Sequence, residues 1–195
     1  MLPRPVARMS HAEYLAAEAR SDTRHEFLRG EVFAMAGGTP EHGLLAVAIA
    51  SELRAALRDQ PCRVFNSDVR VHIRETGLTT YPDVSVVCGR LERDVDDHLA
   101  LVNPVLIVEV LSDSTEGYDR GEKAAHFRRL ASLQEYVLLA QHERRVEVFR
   151  RSAAGHWELH EFVAGQQVEL ASIGCMIAVD DIYRDLLDLP ETTLG

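Results

Sequence analysis

The sequence predicts an α/β fold, with a mixed central sheet flanked on both sides by helices. Two kinds of stretch lead there. Short β-branched or alternating runs recur along the chain, and longer stretches with apolar residues at helical spacing lie between them. The chain is long enough, at 195 residues of which 46% are hydrophobic, to build one real core. No linker, internal repeat or low-complexity tract divides it, so one domain over residues 1–195 is expected.

Each element has its own signal. Ser10 reads as an N-cap, with Glu13 three residues on, opening a short helix over residues 12–20. Residues 25–35 read as a hairpin that turns at Arg29-Gly30. Gly37-Gly38-Thr39-Pro40 is a loop. Leu44, Leu45, Ala48, Ile49, Leu53, Ala56 and Leu57 then mark a long helix over 41–58. Strands follow at 62–65 and 68–73. The second alternates Val69, Val71 and Ile73 with Asp68, Arg70 and His72, so one face is buried and one polar. After a turn at Gly77 come a strand over 81–88, a charged connection over 90–101 and an apolar run over 104–111. Ser112-Asp113-Ser114-Thr115 caps a helix over about 118–130. Strands at 135–140, 145–151 and 156–163 and a short helix near 180–187 complete the chain.

The net charge of −10 counts against tight non-specific binding of nucleic acid over the whole surface. It leaves a nuclease open, because acids around a divalent metal are part of such a site. No run is long and apolar enough for a membrane span, and no secretory signal opens the chain. Cys62, Cys88 and Cys175 are scattered and without CxxC spacing. They read as reduced core thiols, which points to the cytoplasm.

The chemistry begins with Glu109. It lies inside the apolar run Val105-Leu106-Ile107-Val108-Glu109-Val110-Leu111, where an unpaired carboxylate is costly. It is expected to be protonated, bound to a cation or paired, with Arg128 or Arg70 as the arginines in view. Asp83 sits among apolar neighbours in the preceding run. A hairpin-like pairing of the two strands in one register puts both carboxylates on one face, within reach of one hard metal ion. Lys123 falls in the first turns of the following helix, with Asp119 four positions before it. An ammonium beside two metal-binding acids suits phosphodiester hydrolysis. The plainer reading of Asp119 and Lys123 is a solvent-facing helix pair.

Pro82-Asp83, then Glu109 with a downstream lysine, resembles the PD-(D/E)XK nuclease superfamily. Within it the chain resembles the Uma-two family of restriction-endonuclease-like proteins. The resemblance is carried by His25-Glu26-Phe27, Gly30-Glu31-Val32, Met35-Ala36-Gly37, Ser67-Asp68-Val69, Tyr81-Pro82-Asp83-Val84, Ile107-Val108-Glu109-Val110-Leu111-Ser112, Ser114-Thr115, Asp119, Lys123 and Glu135-Tyr136-Val137. It implies a restriction-endonuclease-like fold with DNA as substrate. It further implies a Mg2+ or Mn2+ ion held by Asp83, Glu109 and the Val110 carbonyl, with Lys123 assisting. The wider superfamily places its lysine two residues after the acid, where this chain has Leu111. Lys123 would supply the ammonium from the helix instead.

Glu31 and Asp68 are further acidic candidates, although a polar residue after a glycine turn and plain strand alternation account for them. His42 reads as a surface histidine. Asp94, Asp96 and Asp97 lack the glycine and terminal glutamate of a calcium loop and read as a solvated acidic loop. Arg128-Arg129, Arg144-Arg145 and Arg150-Arg151 read as surface pairs. No Gly-rich phosphate loop, HExxH or GxSxG motif is present. Two functions are expected to compete: a metal-dependent endodeoxyribonuclease, acting as a two-fold dimer on duplex DNA, and a non-catalytic binding or scaffolding protein that keeps the fold.

Overall fold

The hairpin near the N-terminus fixes how the first sheet is built. In the computed structural model, which describes residues 5–35 and 37–186, β1 (Ala7–Arg8) precedes a helix, α1 (His11–Glu18). Ser10 caps α1: its side chain accepts from the Glu13 N–H while the Glu13 carboxylate accepts from the Ser10 N–H. β2 (His25–Leu28) and β3 (Glu31–Ala34) then pair antiparallel, with β1 beside β3. Arg29 and Gly30 both take positive φ, 49° and 91°, which closes the two strands with two turn residues.

α2 (Pro40–Ala56) starts at Thr39, whose hydroxyl accepts the His42 N–H at 3.2 Å, and Pro40 fills its first turn, where no amide donor is needed. Leu45, Ile49 and Leu53 are its buried stripe. The chain continues through β4 (Cys62–Asn66), β5 (Arg70–Ile73), β6 (Leu78–Thr80), β7 (Val84–Cys88), β8 (Ala100–Leu101) and β9 (Leu106–Val110). A helical segment follows: α3 (Glu116–Tyr118), a π-helical turn (Asp119–Lys123) and α4 (Ala124–Phe127). Then come β10 (Glu135–Leu139), β11 (Arg145–Arg151), β12 (Trp157–Val163), β13 (Gln167–Leu170), β14 (Cys175–Ala178) and α5 (Val179–Ile182).

The fold class is the α/β class read from the sequence. Its strands divide over two six-stranded sheets, ordered β1-β3-β2-β6-β5-β8 and β12-β11-β10-β9-β7-β4, with β13 and β14 as a separate ribbon. β6 was hidden because Leu78-Thr79-Thr80 runs straight into Tyr81-Pro82. In the second sheet β9 is parallel to β10 and antiparallel to β7. Its residues alternate. Leu106, Val108 and Val110 meet Leu45, Ile49 and Leu53 of α2. Ile107 and Leu111 turn the other way, onto Phe127 and onto Val71, Ile73 and Leu78 of the first sheet. Glu109 shares that second face, between the two sheets. The helix expected near 180–187 is confined to α5 within the described residues, and Leu187 lies outside them.

Two expectations are corrected here. The acidic loop is only partly solvated: Asp96 is exposed, but Asp94 and Asp97 are 3% and 4% exposed. Arg70 grips Asp97 with two hydrogen bonds of 2.8 Å, and Arg74 reaches Asp94 at 2.7 Å. The polar face of β5 therefore turns onto this loop rather than to water. Arg70 is thereby unavailable to Glu109, and Arg128 lies over the Phe149 ring.

Cys62 and Cys88 are not reduced. The antiparallel register of β4 and β7 sets them directly opposite each other, and their sulfurs are joined. A separation of 26 residues hid that register from spacing arguments. The cysteines thus carry no argument for a reducing compartment. No helix among the described residues is long and apolar enough to cross a membrane. Thiol titration of the denatured, unreduced protein is expected to find one thiol, Cys175, per chain. Non-reducing peptide mapping is expected to link the Cys62 and Cys88 peptides; three free thiols would contradict the pairing.

Candidate active site

Backbone register brings the two strand carboxylates together. Val84 pairs with Val108, so the next position sets Asp83 against Glu109. Directly opposed residues of an antiparallel pair share a face. Asp83 lies just before β7, and its Oδ2 accepts the Val110 N–H at 2.8 Å, closing the register by one further bond. Its Oδ1 accepts from His42 Nε2 at 2.9 Å, in the first turns of α2.

Lys123 is buried, 5% exposed, and is not a solvent-facing helix residue. Its Nζ lies 2.7 Å from Glu109 Oε1, 3.4 Å from Asp119 Oδ1 and 3.6 Å from Glu26 Oε1. The π-helical turn makes this possible by carrying Asp119 and Lys123 inward together, and such turns are frequent at functional sites. The Tyr136 hydroxyl anchors the turn by donating to the Asp119 carbonyl at 3.1 Å. Glu26 arrives from β2 in the other sheet. The Thr80 hydroxyl donates to its Oε1 and the Tyr118 hydroxyl to its Oε2 at 3.3 Å. The cluster therefore bridges the two sheets.

The electrostatics are lopsided. Burial is the strongest influence on Glu109 and pushes its carboxyl well above the usual range; Lys123 pulls it back, while Asp83 and Asp119 push it further up. Burial opposes charge on Lys123, yet Glu109, Glu26 and Asp119 together hold its ammonium well above the usual range. Burial also raises Asp119. The hydrogen bond to Asp83 raises His42 against the opposing effect of burial. Three carboxylates, Glu26, Glu109 and Asp119, thus surround one ammonium, with Asp83 opposite Glu109. The Lys123 ammonium is the ion-pair partner of the buried Glu109 Oε1, at 2.7 Å.

These groups line a cleft of ≈ 620 Å³, with Gly37, Gly38 and Thr39 on one rim and Ser112–Thr115 on the other. Among the described residues no three His, Cys, Asp or Glu side chains converge to cage a metal ion. A hard cation such as Mg2+ does not need such a cage; it keeps several waters and takes one or two carboxylates beside substrate oxygens. The oxygen donors that Glu26, Asp83, Glu109 and Asp119 bring to the cleft lining fit that kind of ion.

Of the residues singled out in the sequence, the fold brings together Asp83, Glu109, Lys123 and Asp119, with Val110 on the cleft wall. It does not bring in Glu31, which pairs with Arg8 on the hairpin. Nor does it bring in Asp68, which is exposed and paired with Arg24 and Asn66. Sequence reasoning missed two cleft residues. Glu26 gave the same signal as Glu109, a carboxylate beside apolar strand residues, but in a run of four. His42 is half-buried rather than freely exposed, and its ring is held against Asp83.

The chain matches the model of the Uma2 family, described as "Putative restriction endonuclease", over residues 11–179. It is 36% identical over 182 residues to an uncharacterized Synechocystis sp. protein, slr1290, covering 93% of this chain and 95% of that protein. A second from the same organism, sll1609, is 33% identical over 162 residues, covering 83% and 91%. Among solved structures, the fold is similar to that of "a putative nuclease belonging to DUF820 from Anabaena variabilis", with a TM-score of 0.74 and 18% identity, covering 94% of this chain and 100% of that one.

Removing the one cation among these carboxylates is expected to be costly. Lys123→Ala should lose about 3–5 kcal/mol of unfolding free energy at neutral pH, as when one partner of a buried pair is deleted. Asp83→Ala should lose less, because Asp83 is partly exposed. The Lys123→Ala deficit should shrink as pH falls. Carboxylates buried without a partner have raised folded-state pKa values, so the folded variant binds more protons than the unfolded chain and gains stability on acidification. Urea unfolding at several pH values checks both; equal losses for the two variants would contradict the ranking.

Proposed function

The chain belongs to the Uma2 family, and on that footing we propose that it is a divalent-metal-dependent endonuclease that hydrolyses phosphodiester bonds in DNA. The observation that carries the reading is the opposition of Asp83 and Glu109 across two antiparallel strands, with the Lys123 ammonium 2.7 Å from Glu109. The Asp83 and Glu109 carboxylates and the Val110 carbonyl would hold Mg2+ or Mn2+. The ion, when bound, supplies Lewis-acid polarisation of a phosphoryl oxygen and of water.

The chain's own residues do the rest. Glu26 and Asp119 keep Lys123 charged from either side, so its ammonium stabilises negative charge developing on a phosphoryl oxygen when water attacks phosphorus. Val110 N–H and His42 hold Asp83 from two directions. The low exposure of Glu109, Asp119 and Lys123 excludes bulk water and strengthens each of these interactions. A chain with one such acid–lysine site among its described residues suits a two-fold dimer, in which each copy cuts one strand.

A second reading has its own support. Among the described residues no arginine lines the cleft, and the chain carries a net charge of −10. A non-catalytic protein that keeps the fold to bind a partner would show the same features.

Supercoiled plasmid incubated with the protein and Mg2+ or Mn2+ separates the two. The parent is expected to nick or linearise it, and Asp83→Ala, Glu109→Ala and Lys123→Ala each to lose about 10²-fold or more in rate. Cleavage that survives both acidic substitutions contradicts the assignment. Absence of cleavage on any nucleic acid, together with absence of metal binding by calorimetry, favours the non-catalytic reading.

A further inference from the structure

We infer that His42 is a positioning residue that aims the Asp83 carboxylate at the divalent cation, an inference that rests on the metal-dependent reading above. Asp83 is the least enclosed of the four cleft acids Glu26, Asp83, Glu109 and Asp119, its side chain 16% exposed. Two donors hold it. Val110 N–H holds Oδ2 at 2.8 Å and His42 Nε2 holds Oδ1 at 2.9 Å. Each carboxylate oxygen has two lone pairs, so one hydrogen bond apiece orients the group and still leaves it able to coordinate.

The residue that carries the ring is itself held. The His42 backbone N–H donates to Thr39 Oγ1 at 3.2 Å, and the same oxygen accepts from Gln141 Nε2 at 2.6 Å. Gln141 is 6% exposed and follows the strand that neighbours β9. The first turn of α2 is thereby tied to the sheet that carries Glu109. Gly38 closes the other side. A Cβ there would stand 3.0 Å from His42 Cδ2 and 3.2 Å from Cγ, so the loop meets the ring only because residue 38 has no side chain.

The remaining ring nitrogen shows what this packing is for. His42 Nδ1 is buried and has no hydrogen-bond partner among the described residues. A buried polar atom left unpaired is a cost that an apolar side chain would avoid. Among the described residues the bond to Asp83 is the only one the ring makes, so the imidazole serves the carboxylate rather than the core. Partners that orient metal ligands in this way change metal affinity about 10–100-fold when removed.

Calorimetric titration with Mn2+ of the parent, His42→Phe and His42→Gln tests this without any turnover. His42→Phe keeps a ring and loses the donor. It is expected to bind Mn2+ about 10–100-fold more weakly while melting no lower than the parent. His42→Gln, whose terminal amide can reach the Nε2 position, is expected to recover part of that loss. Should His42→Phe melt below the parent, Gly38→Ala takes its place, since it keeps every polar group and crowds the ring: weaker Mn2+ binding supports the inference and unchanged binding overturns it. Parent and His42→Phe binding Mn2+ alike overturns the role of His42 alone. A parent that binds no Mn2+ overturns the metal-dependent reading and this inference with it.

Discussion

A buried ammonium holds this molecule's chemistry together. Lys123 touches Glu109 from one sheet, Glu26 from the other and Asp119 from its own helical turn. Each contact compensates a carboxylate that burial alone would neutralise or expel. Charge matching therefore does two jobs at one place. It joins two sheets whose other contacts here are apolar, and it leaves a surplus of negative charge at the floor of a cleft. Under the proposed metal-dependent reading, a divalent cation would offset that surplus.

Backbone geometry explains why the site is where it is. The β7–β9 register alone is enough to oppose Asp83 and Glu109, and side-chain alternation sends Glu109 away from α2 toward the first sheet. The π-helical turn then adjusts the phase of the following helix so that Asp119 and Lys123 point inward together. An ordinary helix over the same residues was read as placing that pair on one face, with water as its plain surroundings. The extra residue in the turn is the part of the design that periodicity does not reveal.

Much of the site was nonetheless legible. Glu109 stood out because a charge in a β-branched run violates burial rules, and Asp83 because a second such strand preceded it. The short connection between them suggested the antiparallel pairing that the sheet shows. What stayed hidden depended on partners far apart in sequence. Glu26 meets Lys123 across 97 positions (123 − 26), and its strand is too short to advertise burial. His42 looked like a helix-surface residue because only the fold shows that Asp83 faces it. Arg70, Asp94 and Asp97 looked solvated for the same reason: alternation gives the face of a strand but not what covers it. The pairing of Cys62 with Cys88 followed from β4–β7 register, which spacing does not encode.

Under the proposed function Asp83 and Glu109 share one cation. Anomalous scattering from a crystal soaked in Mn2+ locates that ion. A peak is expected about 2.0–2.2 Å from a carboxylate oxygen of each residue, with Lys123 still beside Glu109. A soaked crystal whose manganese sits elsewhere, or whose Asp83 and Glu109 side chains turn away from a common point, would contradict it.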